Sequence, residues 1–297
     1  IGWDPNSQWG ATHYAGMLNW EDPSLILIAE EDNSYQINST GFDAGWDYSF
    51  HHMMFANLTS INYEGHYFGD MTDLSGHIDA YSQGYSDHTG ALIYIESHDE
   101  SRIVAECVEF QGYEDEEAYG ISTLGMVVLM TAEGTPMILQ GQELGQNSNT
   151  SHLDPAPVQW SNLNTDIGQD LFENYATLID LRKNRNALKD NNLTVKSQLP
   201  SQKSIIYWRI SGEDEFIIAA NFDDNDQYLD IEFPHFGEWF NVLEGSSINI
   251  ESNWCGNCLI PAKTAYLYTS DLGEEECLPG DVTQDGLINN VEKLLGI

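Results

Sequence analysis

Residues 92–102 read Leu-Ile-Tyr-Ile-Glu-Ser-His-Asp-Glu-Ser-Arg, an apolar run that ends directly in a group of polar and charged side chains. A continuous apolar run of this kind is typical of a strand that is buried on both faces, as in a parallel sheet. Functional side chains of parallel α/β folds lie at the carboxyl ends of their strands. Residues 96–102 are therefore the first candidate site of the chain.

Three further runs resemble this one: 25–29, which ends at Glu30, a weaker run at 46–48, and 136–140. Helical patterns fill the gaps, including one at 115–132 and one that ends near Lys189. Four parallel strands are half of an eight-stranded barrel. We therefore expect residues 1–189 to form either an open α/β sheet or the C-terminal half of a (β/α)8 TIM barrel.

The pattern changes after residue 190 to short alternating segments rich in β-branched and aromatic residues, at 204–210, 215–221, 227–233 and 264–269. This pattern predicts an antiparallel β-sandwich domain over residues 190–272. Residues 273–297 begin with an acidic linker and carry a separate motif, which is discussed at the end of this section.

The overall charge is strongly negative, with 48 Asp and Glu against 10 Lys and Arg and a formal charge of −38. Such a surface excludes binding to nucleic acid or to anionic membranes and suits a neutral substrate. Arg102 is the only Lys or Arg in residues 1–181. The four cysteines are too few for a disulfide framework. Cys255 and Cys258 fit a local disulfide or free thiols, a bridge to a distant cysteine, or a metal half-site.

Three strand ends carry candidate chemistry. Burial of Glu30 against its apolar strand would raise its pKa, as a general acid requires, although a solvated acidic turn is the simpler interpretation. His98, Asp99 and Arg102 form a compact polar group, whose alternative is a helix cap with Arg102 paired to Glu106. Gln142 and Glu143 follow the last strand and could bind hydroxyl groups, or could belong to an ordinary strand-to-helix turn.

The order and spacing of these elements resemble strands five, seven and eight of the barrel in the α-amylase family of glycoside hydrolases. The resemblance rests on Leu-Ile-Leu-Ile-Ala-Glu30, on His98-Asp99-x-x-Arg102, and on Gly134-x-Pro followed by Gly-x-Glu143. It implies that Glu30 is the general acid/base, that Asp99 stabilises the oxocarbenium-like transition state, and that His98 and Arg102 belong to the same sugar subsite. It also places Trp46, Tyr48 and His51 near the glucan cleft, with core packing as their alternative role.

The resemblance implies a secreted, retaining hydrolase of α-1,4-glucans such as starch, glycogen or maltodextrin. A 1,4-α-glucan branching enzyme or another glucanotransferase fits nearly as well, and a non-catalytic protein that binds glucan and docks to a scaffold is the alternative from another class. The family's nucleophile is an Asp two residues after an Arg, and this pattern does not occur before Glu30, where Asp4 is the earliest acid. We therefore expect the chain to begin after the nucleophile and to be inactive alone.

The C-terminal motif has oxygen donors at the calcium-loop positions 1, 3, 5, 7, 9 and 12, and Gly286 allows the sharp turn at position 6. The predicted calcium ligands are Asp281, Thr283, Asp285, Leu287 through its carbonyl, Asn289 and Glu292. Because Pro279-Gly280 leaves no entering helix, the loop resembles one dockerin repeat. That resemblance implies a cohesin-type scaffold partner and an extracellular setting. A solvated acidic turn is the alternative.

Overall fold

The computed structural model describes residues 8–148 and 156–272 of the chain. Its first part contains a parallel sheet of four short strands in sequence order, as the apolar runs predicted. Ile28 pairs with Ala44, Gly45 with Ala91, and Leu92 with Thr135. The bounds of these strands are β1 Ile28–Ala29, β2 Ala44–Trp46, β3 Ala91–Ile93 and β4 Thr135–Pro136. All four carboxyl ends therefore lie along one edge.

Helices precede and separate the strands. Helix α6 is buried on most sides, which explains why its sequence is apolar almost throughout. Helix α7 buries only one face, which carries Leu171, Tyr175 and Leu178. The bounds of the helices are α1 Gln8–Glu21, α2 Ser34–Thr40, α3 Tyr48–Thr59, α4 Met71–His77, α5 Ile103–Ala105 with a π-helical continuation Glu106–Gln111, α6 Asp115–Thr131, α7 Asp166–Asn184 and α8 Asn186–Lys189.

The second part is antiparallel. A six-stranded sheet has the order β10-β9-β12-β7-β6-β5, and β11 pairs with β8 in a second sheet. A separate apolar cluster that includes Leu229, Trp239 and Ile260 lies within this part. The bounds are β5 Leu193–Leu199, β6 Ser204–Ser211, β7 Asp214–Asn221, β8 Gln227–Glu232, β9 Gly237–Asn241, β10 Ser247–Ile250, β11 Trp254–Ile260 and β12 Thr264–Thr269.

The two parts share one core and several buried cations. Apolar residues from α3, α6, β6 and β7 belong to a single buried cluster. Lys263 of the second part donates from Nζ to the carbonyls of Asn57 and Leu58, both at 3.2 Å. These carbonyls lie in the last turn of α3, where a cation is favourable. Arg209 of β6 likewise donates to the carbonyls of Thr131 and Leu188. These two cations thus join the β domain to α3, α6 and α8.

Cys255 and Cys258 form a local disulfide in β11, with 5.8 Å between their Cα atoms. This outcome selects one of the alternatives that their spacing left open and removes the metal half-site. Cys107 is a free, buried thiol, and burial raises the pKa of that thiol. No helix within residues 8–148 and 156–272 is long and apolar enough to cross a membrane.

Candidate active site

Glu30, His98 and Asp99 meet at the carboxyl edge of the parallel sheet, and we call these three residues the outer cluster. The carboxylate oxygens of the two acids and a ring nitrogen of His98 all lie within 4.8 Å of one another. His98 Nε2 lies 3.3 Å from Asp99 Oδ2, and both side chains are about half exposed. Two carboxylates and an imidazole, contributed after β1 and β3, therefore face one solvent-accessible spot.

Glu30 is exposed, which differs from the desolvated environment that its apolar strand predicted. The reason is the position of β1, which has only two residues and lies at the edge of the sheet. Ile28 in this strand is itself 45% exposed. The expected burial would require a further element beside β1, and none lies there among the described residues.

Trp46 ends β2 and lies directly beside the outer cluster. Its ring centroid is 5.9 Å from that of His98 in an edge-on arrangement, and it also contacts Tyr48 and Tyr94. Tyr48 is partly exposed, and burial together with the charge of the nearby acids raises its pKa to about 12. Trp46 and Tyr48 thus form an aromatic surface next to the acids, where the sequence resemblance predicted them. This surface offers a flat apolar face beside hydrogen-bonding groups.

Arg102 lies behind the outer cluster and is almost completely buried. Its Nη1 donates to Glu96 Oε2 at 3.1 Å, and its Nη2 donates to the Gln140 carbonyl at 2.9 Å. Ile103 N donates to the other oxygen of Glu96 at 3.0 Å. Arg102 thus differs from both sequence expectations, a substrate contact and a surface pair with Glu106, because the turn after β3 directs it inward to a buried acid.

Burial raises the pKa of Glu96 to about 7, against the opposing effects of Arg102 and the Ile103 N–H. The only Lys or Arg of residues 1–181 therefore partners an acid that water cannot reach. Because Arg102 also binds the Gln140 carbonyl, it fixes the loop that carries His98 and Asp99 to the segment that follows β4. We interpret Arg102 as a positioning residue.

His51 is fully buried beneath the site and does not line an open cleft. Its Nδ1 lies 3.0 Å from the Ile95 carbonyl, and its ring stacks on Tyr94 with centroids 5.2 Å apart. Its Nε2 lies 3.7 Å from Glu100 Oε2. His51 belongs to α3, whose first turn follows β2, so the helix packs under the β3 loop. His51 therefore supports the residue that follows Asp99.

Glu100 and Asp47 are site residues that the sequence interpretation missed. Glu100 accepts a hydrogen bond from Tyr63 Oη at 3.0 Å, and the neighbouring imidazoles of His51 and His52, at 3.7 and 3.8 Å, hold the pKa of Glu100 well below its usual range. Asp47 caps α3 by accepting from Phe50 N at 2.8 Å, and burial raises its pKa to about 6. An Asp between a strand and a helical pattern is a recognisable capping signal.

The turn after β4 is explained by local structure. Gln142 is buried and donates to Tyr175 Oη at 3.1 Å, while Glu143 accepts from Gly141 N at 2.8 Å. Glu143 is thus engaged within the turn and Gln142 with α7, which favours a structural role over hydroxyl binding. Asp4 and the six predicted calcium ligands lie outside the described residues.

Residues 27–167 match the family described as alpha amylase, catalytic domain. This match confirms the resemblance to the α-amylase family that the three strand-end motifs predicted. None of the curated proteins compared matches the chain by sequence.

Solved structures with the same fold include an alpha-amylase from Anoxybacillus, at 15% identity and a TM-score of 0.71 over 90% of this chain. A pullulanase from Bacillus acidopullulyticus has 15% identity and a TM-score of 0.67 over 88% of the chain. An alpha-amylase from Geobacillus thermoleovorans, complexed with acarbose, has 16% identity and a TM-score of 0.69 over 88%. The chain spans only 57%, 36% and 56% of these proteins, respectively.

Proposed function

We propose, from the premise that residues 27–167 form an α-amylase-type catalytic domain, that the protein hydrolyses α-1,4-glucans with retention of configuration. In this proposal Glu30 is the general acid/base, Asp99 stabilises the transition state, and His98 hydrogen-bonds the sugar hydroxyls. The observation that carries the proposal is the convergence of these three side chains within 4.8 Å, beside Trp46.

The charge distribution of the outer cluster suits this reaction. Cleavage of a glycosidic bond develops positive charge at the anomeric carbon and negative charge on the leaving oxygen. The carboxylates of Glu30 and Asp99 together create a negative field, which favours the oxocarbenium-like centre. Glu30 would give its proton to the leaving oxygen, and would later take a proton from the attacking water.

The buried layer beneath the outer cluster holds it in place. Glu96 and Arg102 anchor one side of the β3 loop, and Glu100 with its three partners anchors the other side. A site of this kind needs its reacting groups within a fraction of an ångström of the productive geometry. The loop that carries His98 and Asp99 is thus fixed at both ends by hydrogen-bonded acids.

The nucleophile of a retaining reaction is a separate carboxylate about 5–5.5 Å from the acid/base. The family's Arg-x-Asp pattern occurs nowhere in the 297 residues. We propose that this polypeptide carries the acid/base part of the site and that it cleaves glucan negligibly by itself. Exposed apolar side chains of α1 and the β1 segment, among them Met17, Trp20 and Ile26, support the proposal that further barrel elements cover these surfaces.

The calcium loop of residues 281–292 and its dockerin-like character remain predictions from the sequence. We propose that the loop binds calcium through the six residues named above, and that it serves contact with a cohesin-type scaffold in an extracellular setting. Both proposals rest on the loop alone and are independent of the outer cluster.

Glucan binding tests the proposal on the chain as it exists. We expect maltoheptaose to bind, and Trp46→Ala to weaken binding by about tenfold, because the substitution removes the aromatic surface beside the acids. Trp254→Ala, at a half-exposed position of β11, is the matched control and should leave affinity unchanged. Isothermal titration of the three proteins makes the measurement. Equal affinity of all three would contradict the proposed site.

Activity assays distinguish the alternatives. We expect the 297-residue chain to release no measurable short sugars from soluble starch. Robust hydrolysis by the chain alone would show that the account of the nucleophile is wrong. New branch points on amylose, in place of short sugars, would favour a branching enzyme over a hydrolase.

A further inference from the structure

His66, Asp73 and His77 form a second cluster of metal-binding side chains, separate from the outer cluster. One ligand atom from each residue lies within 4.8 Å of the other two. His66 Nδ1 is 2.7 Å from Asp73 Oδ2, and His77 Nε2 is 3.6 Å from Asp73 Oδ1. The proposed hydrolysis uses none of these residues.

The local fold brings the three side chains together. Asp73 and His77 lie one turn apart on α4, at a spacing that places both on the same helix face. His66 comes from the loop before α4, where a tight turn closes through reciprocal backbone hydrogen bonds between His66 and Tyr63. Glu64 and Gly65 in this turn have positive φ angles of 45° and 92°. The turn thus directs His66 back towards α4.

An unsatisfied buried atom supports a ligand at this cluster. Within residues 8–148 and 156–272, His77 Nε2 is shielded from solvent and has no hydrogen-bond partner. Its closest acid oxygen, at 3.6 Å, is too far for a hydrogen bond. Buried polar atoms of folded proteins are almost always satisfied, so an orphaned ring nitrogen that faces a carboxylate and a second imidazole needs an explanation. A bound cation between the three groups supplies one.

The donor set selects the kind of cation. Two imidazoles and one carboxylate suit zinc and the related first-row transition metals, whereas calcium takes oxygen ligands. Zinc binds such groups at about 2.0–2.2 Å, which puts neighbouring ligand atoms somewhat more than 3 Å apart in a tetrahedral site. The present separations of 2.7 and 3.6 Å are close to this value. Small side-chain adjustments would complete the geometry.

The surroundings leave access for an ion and for a water ligand. Asp73 and His77 line an open cavity of about 490 Å³, whose wall also contains Asp32, Asp47 and Asp70. The acidic wall would raise the local concentration of cations. Zinc with three protein ligands takes a water as its fourth ligand in many proteins, and the cavity beside Asp73 and His77 can supply one.

We infer that His66, Asp73 and His77 bind one divalent transition-metal ion of the zinc class, with water as the fourth ligand. The ion links the loop of residues 60–70 to α4. It also stabilises the turn that carries Tyr63, the donor to Glu100. The inference does not depend on the proposed glucan chemistry, because none of the three ligands belongs to the outer cluster.

A third cluster, formed by His51, His52 and Glu100, meets the same distance criterion but is less suitable. His51 Nδ1 already contacts the Ile95 carbonyl, and Glu100 already accepts a hydrogen bond from Tyr63. In the part of the chain that the structure describes, His51 Nε2 is also buried without a hydrogen-bond partner, so variants must assign zinc binding to one cluster or the other. His52→Gln therefore serves as a variant that distinguishes the two sites.

Zinc chloride titrated into the intact chain tests the inference. We expect one ion per chain by isothermal titration, and a rise in Tm of about 5 °C at a hundredfold excess over Kd. His77→Gln and Asp73→Asn should each weaken zinc binding at least tenfold, and His52→Gln should leave it unchanged. Any heat or Tm shift with calcium chloride, as expected from the proposed loop of residues 281–292, should be the same in the wild type, His77→Gln and Asp73→Asn.

His235→Gln is the matched control, because His235 Nε2 and Glu215 Oε2 also lie 2.7 Å apart but the described structure supplies no third ligand there. Cobalt chloride adds a spectroscopic readout, since tetrahedral cobalt(II) with imidazole ligands absorbs strongly in the visible range. Circular dichroism of each variant without metal separates loss of binding from loss of fold. Unchanged zinc binding in both ligand variants, or none by the wild type, would overturn the inference.

Discussion

Two layers of acids lie at the carboxyl edge of the parallel sheet, and they differ in their access to water. Glu30 and Asp99 in the outer cluster are exposed. Asp47 and Glu96 beneath them are each about 1% exposed, and burial raises the pKa of Asp47 to about 6 and that of Glu96 to about 7. The comparison teaches that position at a strand end does not by itself make an acid catalytic. The buried acids hold the loops, and the exposed acids are accessible from solvent.

The largest expected effect distinguishes the layers by stability. Glu96→Gln at pH 8 should lower the free energy of unfolding by about 3–5 kcal/mol, because Arg102 would remain buried without its counter-charge. Asp99→Asn, three residues along the same loop, should change it by less than about 0.5 kcal/mol, because Asp99 is half exposed.

Urea denaturation of the two variants and the wild type makes this comparison. Because the pKa of Glu96 is raised in the folded protein, the wild type gains stability as pH falls below about 7 and Glu96→Gln does not, so the difference between them should widen at pH 5. A loss of less than about 1 kcal/mol for Glu96→Gln at pH 8 would mean that the Glu96–Arg102 pair does not anchor the loop after β3.

The next effect concerns how the stability contribution of Asp47, one of the two buried acids, depends on pH. The pKa of Asp47 is 3.8 in its unperturbed form and about 6 in the folded protein. Between these values the folded state binds more protons than the unfolded state, so the contribution of Asp47 to stability falls as pH rises from about 4 to about 6.

Asp47→Asn keeps a capping side chain for α3 but cannot ionise. The variant should match the wild type near pH 3.5 and exceed its free energy of unfolding by up to about 3 kcal/mol at pH 7. Thermal or urea unfolding over this pH range measures the difference between the two proteins. Parallel pH profiles would show that Asp47 is not desolvated as the structure has it.

The smallest effect concerns the link between the layers. Tyr63→Phe removes the hydroxyl that donates to Glu100 but keeps the ring contact with Phe55. We expect a loss of about 1 kcal/mol in the free energy of unfolding. Tyr67→Phe, in the same loop but exposed, is the control and should be neutral. An equal effect of both substitutions would show that the hydrogen bond between Tyr63 and Glu100 does not contribute to stability.

Much of the fold could be predicted from sequence because its signals are periodic. The apolar runs mark β1, β3 and β4, and the pattern of residues 115–132 marks α6 within one residue at its C-terminal end. The predicted segments of the second part missed four strands, β5, β9, β10 and β11. β10 has only four residues, half of them polar, and β11 contains the Cys-Gly-Asn-Cys turn residues.

In the site, only the residues that belong to the sequence motifs could be predicted. The motif named Glu30, His98 and Asp99, which the structure brings together. The direction of Arg102 towards Glu96 depends on how the backbone turns after β3, and local spacing contains no such information. Likewise, the contact of His66 with the pair on α4 depends on how the loop folds, because His66 lies in that loop seven positions before Asp73.

The central claim is that Glu30 and Asp99 act on the same sugar. β-Maltosyl fluoride tests this claim in the absence of the nucleophile. Its fluoride is β-linked to C1, as the nucleophile is in the covalent glycosyl-enzyme intermediate, so the compound stands in for that intermediate. Water attacks C1, the C–F bond breaks, and Glu30 takes the proton from the water. A fluoride electrode then follows the second half of the double displacement in the 297-residue chain.

We predict fluoride release above the spontaneous rate, reduced about a hundredfold or more by Glu30→Gln and by Asp99→Asn. Glu31→Gln, at the adjacent acid, should stay within about twofold of the wild type, as is usual for a substitution outside the reacting groups. Circular dichroism should show the same fold for all four proteins. Release at the wild-type rate by Glu30→Gln, or at only the spontaneous rate by the wild type, would contradict the account.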